Sequence, residues 1–462
     1  IDNAGGVICS DYEVNIKILL QILLTSGEIN YTDRNKLLVK YVSEVEEIIF
    51  EVITLMNISI TLALTQAEAK IPVYVRYIES LSKNNVTSKE VDDLPSEKTL
   101  KARLVEGKCL TRPEAAILLS HTKIELVKSL ITSDLIEDSY CERFLLRCFP
   151  ESLYTAYSQQ LKQHPLKNKI IATRLSGYCI RVMGITYIKQ MADEIQALPE
   201  TAVKAVLIIH EIFNLDHVIK QLDSISGTLK TKQDLILQAY QDVRGLLRNT
   251  AQWLICNKPL VLRMPIQEAV QCYKNNVQKL LSHSDQFLST STCEVIHTTK
   301  KAYLGIHIAE TNADLIAKLP HIQQLLILVD TWQKTQPCTL VDYARLNSDF
   351  QKRIRVEWLQ DTIDRCSVDS LWTQIAKVDI LNKLDNLTYE FAHIVCSKAA
   401  QISSDTSEKK SAVDIVLDRH IGAEKSWLAM LEHMYVLTKI DFSVYTVAIK
   451  RLELFKQALT DA

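Results

Sequence analysis

Glycine and proline are scarce, with 10 of each among 462 residues, together roughly 4% where average usage is about 12%. Few turn-forming residues mean few turns, which excludes hairpin-rich β architectures and favours long helices. The same scarcity removes the glycine loops that cradle phosphates: no Gly-x-Gly-x-x-Gly fingerprint, phosphate loop or Gly-x-Ser-x-Gly elbow occurs. Excess charge is also missing. Lys and Arg number 53 against 55 Asp and Glu, a formal charge of −2, and no basic face with interleaved aromatics is present, so nucleic acid is not an expected partner. No uninterrupted apolar run approaches the ~18 residues of a bilayer span. The richest run, 202–213, is broken by Lys204, His210 and Glu211, and no membrane association is expected.

Cysteine is not scarce, but its 11 copies are scattered, and the closest pair, Cys141 and Cys148, has six residues between them. With no signal peptide in front, the expectation is reduced thiols buried as small apolar residues in a cytoplasmic protein. The glycosylation triplets at Asn57, Asn85 and Asn386 then carry no meaning.

What the sequence does contain is helical periodicity. Leu235, Ala239, Val243, Leu246 and Leu247 fall at i, i+4, i+8, i+11 and i+12, and Ile322, Leu325, Leu326, Val329 and Trp332 at i, i+3, i+4, i+7 and i+10, two patterns of one-sided helices. Thr111-Arg112-Pro113-Glu114 combines an N-cap, a first-turn proline and a reciprocal glutamate. At the front, Gly5-Gly6 separates a possible strand end from Ser10-Asp11-Tyr12-Glu13, a capping-box pattern, so a strand, a glycine turn and a helix are expected there. Polar stretches at 83–101, 282–292 and 403–411 could separate units. No steady period of 30–45 residues supports a solenoid, and an irregular bundle is the better expectation.

Chemically suggestive clusters are weak. His210-Glu211 begins like a zinc helix, but the next histidine, His217, is seven positions on rather than four, so the imidazoles would not be neighbours. Cys293 and His297 stand four apart with no second pair to complete a site. No metal is expected. The basic run Lys352-Arg353-Ile354-Arg355 reads as the solvated side of a helix.

A resemblance carries the reading further. Asn3-Ala4-Gly5-Gly6-Val7, with Ser10 three residues later, resembles the Asn-Ala-Gly-Gly-Val motif of glutamate dehydrogenases, and 2–18 is similar to the segment found in the large bacterial NAD-specific enzymes. Asp33-Arg34-Asn35-Lys36-Leu37-Leu38, Leu110-Thr111-Arg112-Pro113-Glu114, Ser133-Asp134-Leu135, Phe149-Pro150, Ile170-Ile171-Ala172-Thr173-Arg174-Leu175 and Met183-Gly184 follow in that family's order and at about its spacing. The likeness is specific over roughly the first 190 residues and thin beyond Trp253.

The resemblance implies a mainly α chain: the terminal strand-turn-helix of an α/β dinucleotide-binding domain, then an irregular multi-helix C-terminal domain. It places the end of the catalytic core at 1–82, a linker at 83–110 and the helical domain at 111–462, with a possible subdivision near 282–292. It implies part of an enzyme that oxidatively deaminates L-glutamate to 2-oxoglutarate and ammonia with NAD, and a homo-oligomer braced by the helices. Asn3, Gly5 and Gly6 would contact the cofactor and Ser10 the substrate's γ-carboxylate. The family's catalytic lysine, aspartate and glycine turn would precede Ile1, so no catalytic residue is expected in this segment, and the segment alone should be inactive. Glu51-Val52-Ile53-Thr54 departs from the family's polar Arg-Asp-Asn-Tyr run, and Ile8 and Tyr12 replace an acid and a histidine. The competing expectation is a non-catalytic helical scaffold for protein contacts.

Overall fold

The computed structural model describes residues 2–65, 67, 70–83, 94–226, 233–366, 368, 370–402, 411–437 and 440–460, the side chains of 2–4, 83, 226 and 402 excepted. Most of the polar stretches 83–101 and 403–411 therefore lies outside the described residues. Among the described residues every regular element is a helix and none is a strand, in line with a mainly α chain.

The strand and glycine turn expected at the front are instead one helix, α1 (Asp2–Thr25), which runs through Gly5-Gly6 unbroken. A strand there has no neighbouring strand to complete its ladder, whereas a helical glycine costs only about 1 kcal/mol relative to alanine. Packing offsets that cost: Tyr12, Ile16, Leu19, Leu20 and Leu23 recur at helical spacing and are all buried. Gly5 contributes directly, because a Cβ on it would lie 3.2 Å from Ile53 Cδ1, on helix α2 (Tyr31–Thr65).

In chain order there follow α3 (Ile71–Lys83), α4 (Glu97–Val105), α5 (Arg112–Ile131), α6 (Glu142–Leu146), α7 (Glu151–Lys162), α8 (Lys167–Met183) and α9 (Tyr187–Ile195). Next come α10 (Pro199–Ile212), α11 (Asp216–Ser226), α12 (Gln233–Asn257), α13 (Pro259–Arg263), α14 (Ile266–Gln271), α15 (Lys274–Ser282), α16 (Thr290–Leu304) and α17 (Glu310–Lys318). The last are α18 (Leu325–Gln333), α19 (Leu340–Ile354), α20 (Val356–Asp364), α21 (Leu371–Ile402), α22 (Ala412–Asp418), α23 (Ile421–Tyr435) and α24 (Phe442–Thr460). They form two compact units: 1–192 with 196–208 and 216–268, and 193–195 with 209–215 and 269–462.

In the first unit, α5 begins as its sequence requires. The Thr111 hydroxyl accepts from the Glu114 amide at 3.4 Å, and the Glu114 carboxylate accepts from the Thr111 amide at 2.7 Å. Arg103 of α4 donates to the same carboxylate at 2.9 Å, joining 94–110 to the core, where Leu100 packs with Ile60, Leu118 and Ile180. Within the expected linker 83–110, Leu100 and Leu110 are buried in this core. At the end of α8, Arg244 of α12 donates to the carbonyls of Val182 and Arg181, both at 3.0 Å, satisfying groups that a helix C-terminus leaves open.

In the second unit, α18 is not one-sided. Leu325, Leu326, Ile327, Leu328 and Val329 are all buried, so the apolar stripe read at 322–332 is covered by this unit's own helices. Arg353 is a second correction. It is not on a solvated face but inside a carboxylate cluster of Asp414, Asp418 and Glu424.

Asp385 on α21 accepts from Gln360 at 2.6 Å and from Gln324 at 3.2 Å, with no cation in the arrangement. Burial, opposed by the Gln360 hydrogen bond and reinforced by Asp364, pushes its carboxyl up to about 7. The folded protein then holds a proton that the unfolded chain releases near pH 4. Asp385 therefore favours folding below that pH, and its contribution is lost as pH rises toward 7. Asp385→Asn is expected to raise the melting temperature at pH 8 and leave it unchanged at pH 4. A scan showing equal shifts at both would remove Asp385 as the titrating group.

Candidate functional site

The residues singled out for cofactor and substrate contact all lie on α1, and the helix sorts them. Asn3, Gly6 and Ser10 stand at i, i+3 and i+7 and share one face, although the Asn3 side chain lies outside the described residues. Gly6 and Ser10 are exposed, and a Cβ on Gly6 would meet nothing within 4 Å. This face therefore offers bare backbone beside a hydroxyl. Gly5 is turned the other way, toward Ile53 of α2, where it serves the packing. Ser10 is not the N-cap that its capping-box pattern suggested, because the helix begins eight residues earlier. Glu13, one turn further on, pairs with Lys17 in the turn after it.

The opposite side of α1 is held by residues that periodicity did not single out. The Arg174 guanidinium of α8 lies 4.7 Å from the centre of the Tyr12 ring, a cation–π contact. Burial lowers Arg174 to about 10, with Asp11 opposing the shift. Asp11 likewise opposes the lowering that burial imposes on Lys123 of α5. His164 fixes α1 lower down: it accepts from the Leu166 amide through Nδ1 at 3.1 Å, which leaves Nε2 as the donor to the Asn15 carbonyl at 3.1 Å. Burial keeps this imidazole below its usual range, so it is neutral at pH 7. Arg174 stood in the family-like run 170–175; its ring partner could not be read from spacing.

Elsewhere the chemistry is thin. Among the described residues no three His, Cys, Asp or Glu side chains gather as a metal site. His210 is buried and His217 exposed, and Cys293 and His297 sit on α16 without a second pair. None of the eleven cysteines forms a disulfide. Concavities are shallow. One of about 380 Å³ is lined by Gln21, Ile22, Thr25 and Ser26, and one of about 290 Å³ lies where Ala376 and Ile380 of α21 meet Phe442 and Ile449 of α24. Neither includes Gly6 or Ser10, which lie on an open helix surface.

Comparison with known proteins bears on both the α1 face and the helices that follow. Residues 107–453 match the family described as glutamate dehydrogenase, C-terminal, and residues 1–63 match that of the bacterial NAD-glutamate dehydrogenase catalytic domain. An NAD-specific glutamate dehydrogenase of Pseudomonas aeruginosa is 26% identical over 98% of this chain and 27% of its own length. One of Halomonas elongata is 25% identical, again over 98% of this chain and 27% of its own. One of Mycobacterium tuberculosis is 29% identical over 56% of this chain and 16% of its own. The chain thus spans about a quarter of the length of the first two.

Proposed function

Because the chain belongs to the glutamate dehydrogenase C-terminal family, we propose that it is the last part of an NAD-dependent enzyme that oxidatively deaminates L-glutamate to 2-oxoglutarate and ammonia. The observation that carries this reading is the catalytic-domain match over 1–63, which spans the open α1 face. An α/β dinucleotide-binding domain would precede this segment, with 1–82 ending the catalytic core and 111–462 bracing it or joining identical subunits in the cytoplasm.

The α1 face fits one edge of a cofactor site. The absent Cβ at Gly6 lets a ribose approach the backbone, Asn3 is one turn away, and Ser10 lies one turn beyond with its hydroxyl exposed. Bound at this face, NAD would supply the acceptor for the hydride on the substrate's α-carbon. In this reading Ser10 donates its hydroxyl to the side-chain carboxylate and orients the substrate. The proton-transfer groups lie in the part of the enzyme outside this chain. Lys17 is engaged by Glu13 and is not assigned to the substrate.

The test is NADH formation, followed by absorbance, with the intact natural protein captured by an antibody to residues 111–462. Glutamate-dependent turnover is expected there and none from the 462-residue chain alone. Ser10→Ala should raise the KM for glutamate about 10- to 100-fold, the worth of one hydrogen bond to a charged group, with a smaller change in kcat. An intact protein that reduces no NAD with glutamate would end this reading.

A further inference from the structure

Between Val42 and Glu51 the outer side of α2 exposes large apolar side chains. The stretch between Tyr41 and Ser59 holds Val42, Ile48, Ile49, Phe50, Leu55 and Met56; Ile48, Ile49, Leu55 and Met56 are half-buried, Met56 against the first unit's core, and Val42 and Phe50 are left outside. Val42 is 56% and Phe50 74% exposed. An 18-residue apolar stretch of α2 is only 22% buried, and by length and composition alone α2 could cross a membrane. Apolar side chains point to every side of the helix here, the pattern of a helix enclosed by protein rather than of a surface helix.

Charge selects among the possible occupants. Glu46, Glu47 and Glu51 are exposed on the same stretch, and no lysine or arginine occurs between Lys40 and Lys70. An anionic lipid surface attracts basic segments, not acidic ones. A second copy docked by a two-fold axis would bring the same glutamates face to face. A different polypeptide surface, apolar with basic side chains at its edge, has neither problem. The match of 1–63 to a catalytic domain points to such a surface, since α1 and nearly all of α2 lie in the matched segment.

We infer that the 42–51 face of α2 seats the rest of the catalytic domain, which covers it with apolar side chains and meets Glu46, Glu47 and Glu51 with basic ones. This inference rests on the functional reading above in one respect only, that such a domain is joined to this chain.

Hydroxyl-radical labelling of the isolated chain and of the intact natural protein tests it, together with zero-length carboxyl-to-amine cross-linking. Phe50 and Val42 should be labelled in the isolated chain, and that labelling should be lost in the intact protein. Glu46, Glu47 or Glu51 should cross-link to lysines of catalytic-domain sequence. Phe50→Glu, at an exposed position that leaves the isolated chain folded, should restore labelling of Val42 in the intact protein. Undiminished labelling of the intact protein would overturn the inference, as would cross-links only between identical copies or flotation of the chain on phosphatidylglycerol vesicles. Protection with the expected cross-links but no NADH formation would leave this interface standing and remove the proposed activity.

Discussion

Replacing Arg353 with methionine is expected to destabilise the second unit by about 3 kcal/mol. The guanidinium donates through Nη1 to Asp414 at 2.6 Å, through Nη2 to Asp418 at 2.7 Å, and through Nε and Nη2 to the two Glu424 oxygens at 2.6 and 2.8 Å. The three pairs are not equal. The carboxylates of Asp414 and Asp418 are 40% and 35% exposed, and solvent-screened pairs of that kind contribute roughly 0–1 kcal/mol. Glu424 is 6% exposed. Removing its partner leaves a buried charge without compensation, which costs about 3–5 kcal/mol, and Glu424 therefore sets the size of the loss. Lysine should restore only part of it, because one ammonium cannot reproduce the planar fork that reaches all three carboxylates. Urea unfolding followed by circular dichroism checks this. An unchanged midpoint for Arg353→Met would mean that the cluster contributes no more than an exposed ion pair.

Gly184→Ala should be nearly as damaging, about 3 kcal/mol in the first unit. Gly184 ends α8 at φ 91°, ψ 170°, a conformation essentially reserved for glycine. A Cβ would also stand 3.3 Å from Arg244 Nη1 and 3.4 Å from its Cζ. That guanidinium is held by the Val182 and Arg181 carbonyls and is only 7% exposed, so it has little room to withdraw. The strain and the crowding can be separated by a double-mutant cycle. Arg244→Met removes the neighbour along with two carbonyl donors, so the double variant should cost less than the two single costs combined. Strict additivity in the urea midpoints would show that crowding contributes nothing and that backbone strain alone excludes alanine.

Several features were legible without coordinates, because each depends on residues within a few positions of one another. Scarce glycine and proline permit little except helix. Thr111 and Glu114 specify a helix start through bonds closed within one turn. The spacing of Leu235, Ala239, Val243, Leu246 and Leu247 lies along α12 as expected. The Asn-Ala-Gly-Gly-Val segment pointed to the family, and Met183-Gly184 was legible as a motif, though its reason, a positive φ against Arg244, was not.

What sequence order could not reveal depends on partners far along the chain. Arg353 looked like one charge on a wet helix face because its three carboxylates lie 61 to 71 residues away. The stripe at 322–332 looked one-sided, yet α18 is enclosed by helices of its own unit. Gly5-Gly6 read as a turn until α2 supplied a surface for which a side chain at Gly5 would be crowded. The sequence by itself determined which segments are helical, where several begin, and the family to which they belong, since periodicity and caps are local properties. Tertiary structure decided which helix faces are covered and which charges are paired, because burial and ion pairing belong to groups that meet only when the chain is folded.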